Sequence, residues 1–390
     1  MQPLTQQSWL TAPASRTVLG ALGSAGATPR FVGGCVRDGL LGRPSADLDI
    51  AIDQLPEDNM RFLEEYGIKV IPTGLKHGTV TALAAKQKFE VTTLRVDVEN
   101  FGRHAKVAFT EDWRLDAARR DFTINAIYAD GDGHLYDPAG GRADLAAGRV
   151  RFVGDAAQRI AEDKLRILRF FRFQALFGQG PADAVALAAC ATAAPGIDGL
   201  SGERVRDEVF KLLAAPDPLP CLELMARAGV LPGILPAGFR FDRLANADND
   251  PLRRLSAIAV GGPQATQAIG QRLRLSARQI QRLGFLMAPP VRMTGTMART
   301  TLRQLLYDHG VERISDLALQ QGVPELLPSI PEAAPPPFPL TGRDALEIGM
   351  SPGPGVGAAL RALEEEWRAR DFAAGRDQLL AELAKRQARN

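Results

Sequence analysis

Apolar and polar residues alternate in short runs through roughly the first third of the chain, then recur every three to four residues through the rest. The run LDIAI at 48–52 predicts a strand, 58–66 a helix, and 69–71 a further strand. Residues 80–84 and 89–93 predict a hairpin pair, and 124–129 a last strand or helix end before the Gly131-Asp132-Gly133 turn. Ahead of these, 8–26 predicts a short helix carrying Trp9, Leu10, Val18, Leu19 and Leu22, closed by Gly23 to Gly26. Beyond residue 153 the strand signals stop. Helical periodicity then covers 155–177, 181–193, 202–214, 218–228, 251–260, 276–287, 299–307, 311–321 and 355–388. The expected fold is α+β. An N-terminal helical segment (1–27) precedes a head (28–148) with helices and a small antiparallel or mixed sheet. An all-α neck (149–240) and an all-α body and tail (241–390) follow, with a proline-rich linker at 331–339.

Length supports this division, since 390 residues exceed what one hydrophobic core usually serves, and two to four domains are expected. The formal net charge is only +2, so global basicity does not announce a nucleic-acid partner, although arginine far outnumbers lysine and the basic residues cluster. Cys35, Cys190 and Cys221 are too dispersed for a zinc site, and their odd number argues against a disulfide framework. His77, His104, His134 and His309 show no metal-ligand spacing. No apolar run approaches the ~20 residues of a membrane span. The first residues, MQPLTQQSWLTAPASR, lack the basic start and apolar stretch of a secretory signal, so a cytoplasmic location is expected.

The candidate chemistry begins at 33–49, where Gly33-Gly34 stands twelve residues ahead of Asp47-Leu48-Asp49. If Leu48 lies on a strand, Asp47 and Asp49 face the same way. Two carboxylates so placed repel unless a cation lies between them, and magnesium suits oxygen donors that share substrate phosphates. The glycine pair lets backbone N–H groups approach phosphate oxygens, and Arg37 adds a planar fork of donors. Each half alone is ordinary: D-x-D commonly ends an exposed strand, and Gly-Gly is a common turn. Their spacing, with Val32, Leu48, Ile50 and Ile52 apolar around them, reverses that weighting.

The pattern hG-G-x(12)-D-h-D-h resembles the nucleotidyltransferase signature of the DNA polymerase β superfamily. The longer GGCVRDGLLGRPSADLDI is similar to its class II tRNA nucleotidyltransferase and bacterial poly(A) polymerase branch. Two further stretches carry the resemblance. RRDFTINA (119–126) matches a motif of that branch whose substrate-contacting arginine maps onto Arg120, and paired arginines suit a triphosphate. Glu162-Asp163-x-x-Arg166 matches the family's base-reading EDxxR. Read as one helix, 155–173 puts Arg159, Asp163 and Arg166 on one face. A carboxylate beside a guanidinium complements the amino-donor and ring-nitrogen-acceptor edge shared by cytosine and adenine, and mismatches uracil and guanine. The resemblance adds Arg169 and Arg172 as nucleotide contacts, a flexible loop over FGRHAKVAFTEDWRLDA around Gly102-Arg103-His104, and a helix-stabilising motif with Glu203 and Arg204. GLKHGTV, YDPAGGRADL and LTGRDALEIGMSPGPGVGAAL resemble connecting and C-terminal segments, whereas 230–335 matches nothing quotable.

The resemblance implies a template-independent, Mg²⁺-dependent enzyme that adds the 3′-terminal CCA of tRNA from CTP and ATP. Asp47 and Asp49 are the implied metal ligands and catalytic residues. Glu90 is the candidate third carboxylate, with Asp97 as its alternative. Gly33, Gly34, Arg37, Arg120, Asp163, Arg166, Arg169 and Arg172 form the implied nucleotide site. A poly(A) polymerase and a partial CC- or A-adding enzyme are the alternatives within the class. The intact EDxxR and the lack of a highly basic C-terminal extension favour CCA addition. A catalytically inactive RNA-binding homologue would have been favoured by loss of either aspartate. A small-molecule nucleotidyltransferase lacks the 119–121 and 162–166 elements and needs no long helical body. No H…HD pattern in the C-terminal half suggests an added hydrolase. Oligomeric state is not legible.

Overall fold

In the computed structural model, residues 3–24, 26–101 and 104–388 are described, without the side chains of 97–101 and 104–106. The chain forms two compact units, Met1–Pro236 with Gln271–Arg274, and Ala237–Gly270 with Leu275–Asn390.

The first unit is built on short strands whose alternating burial follows the sequence pattern. In chain order they are β1 (Arg30–Val32), β2 (Leu48–Ile52), β3 (Lys69–Gly74), β4 (Thr79–Ala84), β5 (Gln87–Thr93), β6 (Arg95–Phe101), β7 (His104–Phe109), β8 (Tyr128–Ala129) and β9 (Leu135–Tyr136). Seven of them form one sheet in the order β3-β4-β5-β2-β1-β8-β9, while β6 and β7 pair only with each other. The sheet is mixed: β2 and β5 run parallel, and the other pairs are antiparallel. Phe31, Leu48, Ile50, Ile52, Phe89 and Val91 are fully or nearly fully buried on one face. That face is covered by α1 (Ser8–Thr11) and α2 (Pro13–Gly23), and Trp9 meets Phe31 edge-on at 4.9 Å. After α3 (Gly34–Leu40), α4 (Pro56–Glu65) packs against α2, β3 and β4. The single helix expected over 8–26 is therefore two. Ala12, immediately before Pro13, is extended (φ −57°, ψ 139°), because a residue preceding proline is pushed out of the helical region.

The opposite face carries a smaller apolar cluster of Val32, Ala51, Leu94, Ala117, Ala126 and Tyr128, roofed by α5 (Trp113–Ala118). Asp116 on α5 is 1% exposed and accepts from the Tyr128 hydroxyl at 2.8 Å, Arg119 Nε at 2.8 Å and Arg120 Nη2 at 3.0 Å. Burial alone would raise its pKa. The two guanidiniums and the hydroxyl outweigh that and take it down to about 2.

Past α6 (Gly141–Ala146), α7 (Ala156–Glu162) and α8 (Leu165–Phe177) replace the one helix expected over 155–177. Asp163 between them is extended (φ −151°, ψ 106°), and its carboxylate accepts from Leu165 N at 3.1 Å. A short acidic side chain that bonds the nearby backbone competes with the helical ladder and breaks it here. Phe122 joins the sheet region to α8, buried among Phe152 (4.7 Å), Phe173 (5.1 Å) and Phe170 (6.5 Å). The unit closes with α9 (Ala184–Ala193), α10 (Gly202–Leu213) and α11 (Leu219–Arg227); α10 and α11 both pack on α8.

The second unit is helical among its described residues: α12 (Pro251–Ile258), most of α13 (Pro263–Arg272), α14 (Ala277–Met287), α15 (Arg299–Gln320), α16 (Ser329–Ala333), α17 (Gly342–Glu347), α18 (Pro354–Ala369) and α19 (Arg376–Gln387). The helices expected over 299–307 and 311–321 join as α15 across a kink at Gly310, whose φ of 79° only glycine adopts freely. The expected 355–388 helix is divided, with Asp371 and Phe372 left-handed between α18 and α19. Asp316 receives both Arg253 (2.5 Å) and Arg282 (2.6 Å), tying α12, α14 and α15 together. No helix among the described residues is long and apolar enough to cross a membrane.

Phe122→Ala is expected to lower unfolding free energy by about 3–5 kcal/mol, measured by urea denaturation. Asp116→Asn should cost ~3 kcal/mol near neutral pH by unpairing buried cations. A carboxylate whose folded pKa lies below its unfolded value of about 3.9 stabilises fully above that pH. The Asp116 contribution is then lost as pH falls towards 2, so wild type and variant should converge in acid denaturation.

Candidate active site

The parallel pairing of β2 with β5 places Asp49 directly opposite Glu90, on the face roofed by α5. Asp47 sits exposed one residue before β2. Glu90 therefore stands where the sequence expectation put it, while the side chain of Asp97, the alternative, lies outside the described residues. Burial, then the charges of Glu90 and Asp47, push the Asp49 carboxyl up to about 6, against the pull of Arg120 and Lys88. A half-buried carboxylate with a second one level with it on the next strand, and the charge of a third reaching it, is an oxygen-donor set that suits a hard divalent cation. Gly33, immediately before α3, lies beside Asp49. Its φ of 76° and ψ of −127° suit glycine, and a Cβ there would lie 3.7 Å from Asp49 Oδ2.

Arg120 follows α5 and is fixed by Asp116 through Nε (3.2 Å) and Nη2 (3.0 Å) and by the Tyr128 hydroxyl at 3.1 Å. Burial opposes its charge, but Tyr128 and Asp116 hold the proton more firmly than usual. Arg37 does not present the open fork expected of it. Nε and Nη2 donate to Asp38 (3.0 and 2.9 Å) and Nη1 to Asn125 (2.6 Å), while the guanidinium lies over Phe177 at 4.3 Å.

The α7–α8 junction carries the other predicted residues. Asp163 and Arg166 are not partners across one helical face. Asp163 pairs with Arg204 at 2.6 Å, and Arg166 pairs with Glu162 at 2.6 Å; Glu162 also holds Arg159 at 2.5 Å. The helix break at Asp163 is the cause. Arg159 and Arg166 reach back to the carbonyls of Ala118 (3.1 Å) and Arg119 (3.4 Å), which sets this junction against the paired-arginine stretch. Arg169 binds Asp121 through Nε at 2.7 Å, and Arg172 Nε meets Glu208 at 2.8 Å. Gly102 and Arg103 of the expected flexible loop lie outside the described residues.

Asp116, Asn125, Tyr128 and Glu208 position these groups and were missed in the sequence, although Asp116 with Arg119 and Arg120 shows the i, i+3, i+4 spacing of helical ion pairs. A separate exposed group, Asp130, Asp132 and His134, clusters in the turn after β8. There the Asp130 carboxylate accepts from the backbone N–H of Asp132 and His134 at 2.9 Å, a turn-forming role that accounts for it.

Residues 29–151 match the poly A polymerase head domain family, and residues 183–240 match the family described as "Probable RNA and SrmB- binding site of polymerase A". The chain is similar to CCA tRNA nucleotidyltransferase 1, mitochondrial, of Mus musculus, at 36% identity over 376 residues, covering 91% of this chain and 86% of that protein. It is 33% identical over 366 residues to the CCA-adding enzyme of Geobacillus stearothermophilus, covering 87% of each. The crystal structure of the Bacillus stearothermophilus CCA-adding enzyme in complex with CTP superposes with a TM-score of 0.80 at 28% identity, over 100% of this chain and 98% of that one. With the carboxylate group, the paired arginines and the EDxxR segment all present and adjoining, the chain belongs to the CCA tRNA nucleotidyltransferase family.

Proposed function

We propose that this protein is a template-independent RNA nucleotidyltransferase that completes or repairs the 3′-terminal CCA of tRNA from CTP and ATP, releasing pyrophosphate. The observation that supports the reading is that Arg159 and Arg166 at the α7–α8 junction donate to the carbonyls of Ala118 and Arg119, next to Arg120, whose charge reaches Asp49. Relatives named for CCA addition across most of the chain, and a similar enzyme solved with CTP, support the same substrates. The match of 183–240 to an RNA-binding family supports an RNA acceptor. Its phosphates would be met by the dispersed arginines of the helical regions.

In this reading Asp47, Asp49 and Glu90 would hold Mg²⁺, Asp49 and Glu90 standing level on β2 and β5 and Asp47 just ahead of β2. Bound there, it would supply Lewis-acid chemistry towards the RNA 3′-hydroxyl and the pyrophosphate leaving group. Gly33 and Gly34 let the backbone approach the triphosphate without a Cβ in the way. Arg120, preset by Asp116 and Tyr128, brings a cation to the phosphates at no cost of ordering during the reaction. Arg37 acts through Asn125, the residue it grips, and holds α3 in place. Asp163 would accept from the exocyclic amine of cytosine or adenine, and Arg166 would donate to N3 or N1. Both leave or share their present partners, Arg204 and Glu162, to do so. Arg169 and Arg172, anchored on Asp121 and Glu208, orient α8 beneath the base.

With Mg²⁺ and tRNA lacking its 3′ end, gel sizing should show three added nucleotides when CTP and ATP are both supplied. A long A tail on arbitrary RNA would instead establish a poly(A) polymerase. Asp49→Asn should lower incorporation by at least ~100-fold with the fold intact by circular dichroism. Alanine at Asp163 or Arg166 should cut the preference for CTP and ATP over UTP and GTP by about 10-fold or more, the worth of a bidentate base contact. Affinity for tRNA in a filter-binding assay should stay unchanged in both variants.

A further inference from the structure

One charged group at the carboxylates has no part in the reaction as described so far. Lys88 and Glu90 lie two apart on β5 and face the same side, with Phe89 turned into the core between them. Lys88 Nζ is 2.5 Å from Glu90 Oε1. Two cations thus flank the acidic group, and they differ in kind. Arg120 is fixed by Asp116 and by Tyr128, whose strand β8 lies on the other side of β2 from β5. Lys88 is largely exposed, and Glu90 is its only ion-pair partner among the described residues.

A divalent cation binding between Asp49 and Glu90 needs carboxylate oxygens at about 2.0–2.1 Å if it is magnesium. The ammonium already occupies one of those oxygens, and two cations at one carboxylate repel. Resting on the reading of Asp47, Asp49 and Glu90 as the metal seat, we propose that Lys88 is an internal counter-ion of Glu90. A divalent cation must displace it to load, so Lys88 sets the concentration at which the seat fills. An ordinary surface ion pair on a strand would have no such effect, since exposed pairs contribute little beyond themselves.

The test is Mn²⁺ binding to the full-length protein without nucleotide or RNA, followed by the electron paramagnetic resonance signal of free Mn²⁺. Lys88→Met should tighten Mn²⁺ binding by about five- to tenfold, the scale of relieving one nearby like charge at a partly screened site. Lys86→Met removes the same charge from the β4–β5 turn without touching Glu90, and should change the affinity by less than about twofold. On a Glu90→Gln background, Lys88→Met should have little further effect, which a double-mutant cycle reads directly. Unchanged or weakened binding in Lys88→Met, or an equal gain in Lys86→Met, overturns the proposal while leaving the metal seat standing. If Asp49→Asn fails to weaken Mn²⁺ binding in the otherwise wild-type protein, the metal seat itself is wrong and the Lys88 proposal falls with it.

Discussion

Ionising a carboxylate beside two others becomes harder as water is withdrawn, because each charge is screened less. Asp49 is in that position: partly buried, level with Glu90, and near Asp47. The parallel pairing of β2 and β5 enforces this closeness, and the apolar residues between the acids enforce the pairing. Leu48, Ile50, Phe89 and Val91 must reach the core, so Asp49 and Glu90 must leave it on the same side. A one-residue slip of either strand would bury an acid and expose a hydrophobe. Much of the surrounding structure answers this concentrated charge. Arg120 is held against it by an acid of its own, Asp116, and α5 exists in this register because that acid, Tyr128 and both arginines satisfy one another.

The same interaction explains why the head and the start of the helical region form one unit. Asp121 directly follows Arg120 and takes Arg169 from α8, while Asn125 lies between Asp121 (3.1 Å) and Arg37 (2.6 Å). A polar chain therefore runs from α3 through Asn125 and Asp121 to α8, and on by Glu208 to α10. It is laid over the apolar contact of Phe122 with Phe152, Phe170 and Phe173. The aromatic cluster supplies the cohesion, and the polar chain selects one relative placement of its members.

Local pattern carried much of this into the sequence. Alternation over 48–52, 80–84 and 89–93 marked strands correctly, and Glu90, the candidate third carboxylate, stands opposite Asp49. The spacing of Gly33-Gly34 from Asp47 was legible because a turn and a strand end are both local. Three residues sufficed for β1, too few for periodicity to register, and its pairing comes from neighbours far along the chain. The fate of Arg37 was illegible for a related reason. Its acceptor Asn125 is 88 positions away, and no pattern near Arg37 marks it as gripped rather than open. The α7–α8 break escaped notice because neither glycine nor proline announces it. It arises from what the Asp163 carboxylate finds after folding, Leu165 N and Arg204.

That break has a consequence of its own. Asp163 belongs to neither helix, yet its backbone N–H still closes on Arg159 O at 3.4 Å at the end of α7, and α8 starts two residues on. Any change in its φ or ψ therefore swings α8, and Arg166 with it, against α7. The aim of one carboxylate and the angle between two helices are set by the same pair of torsions.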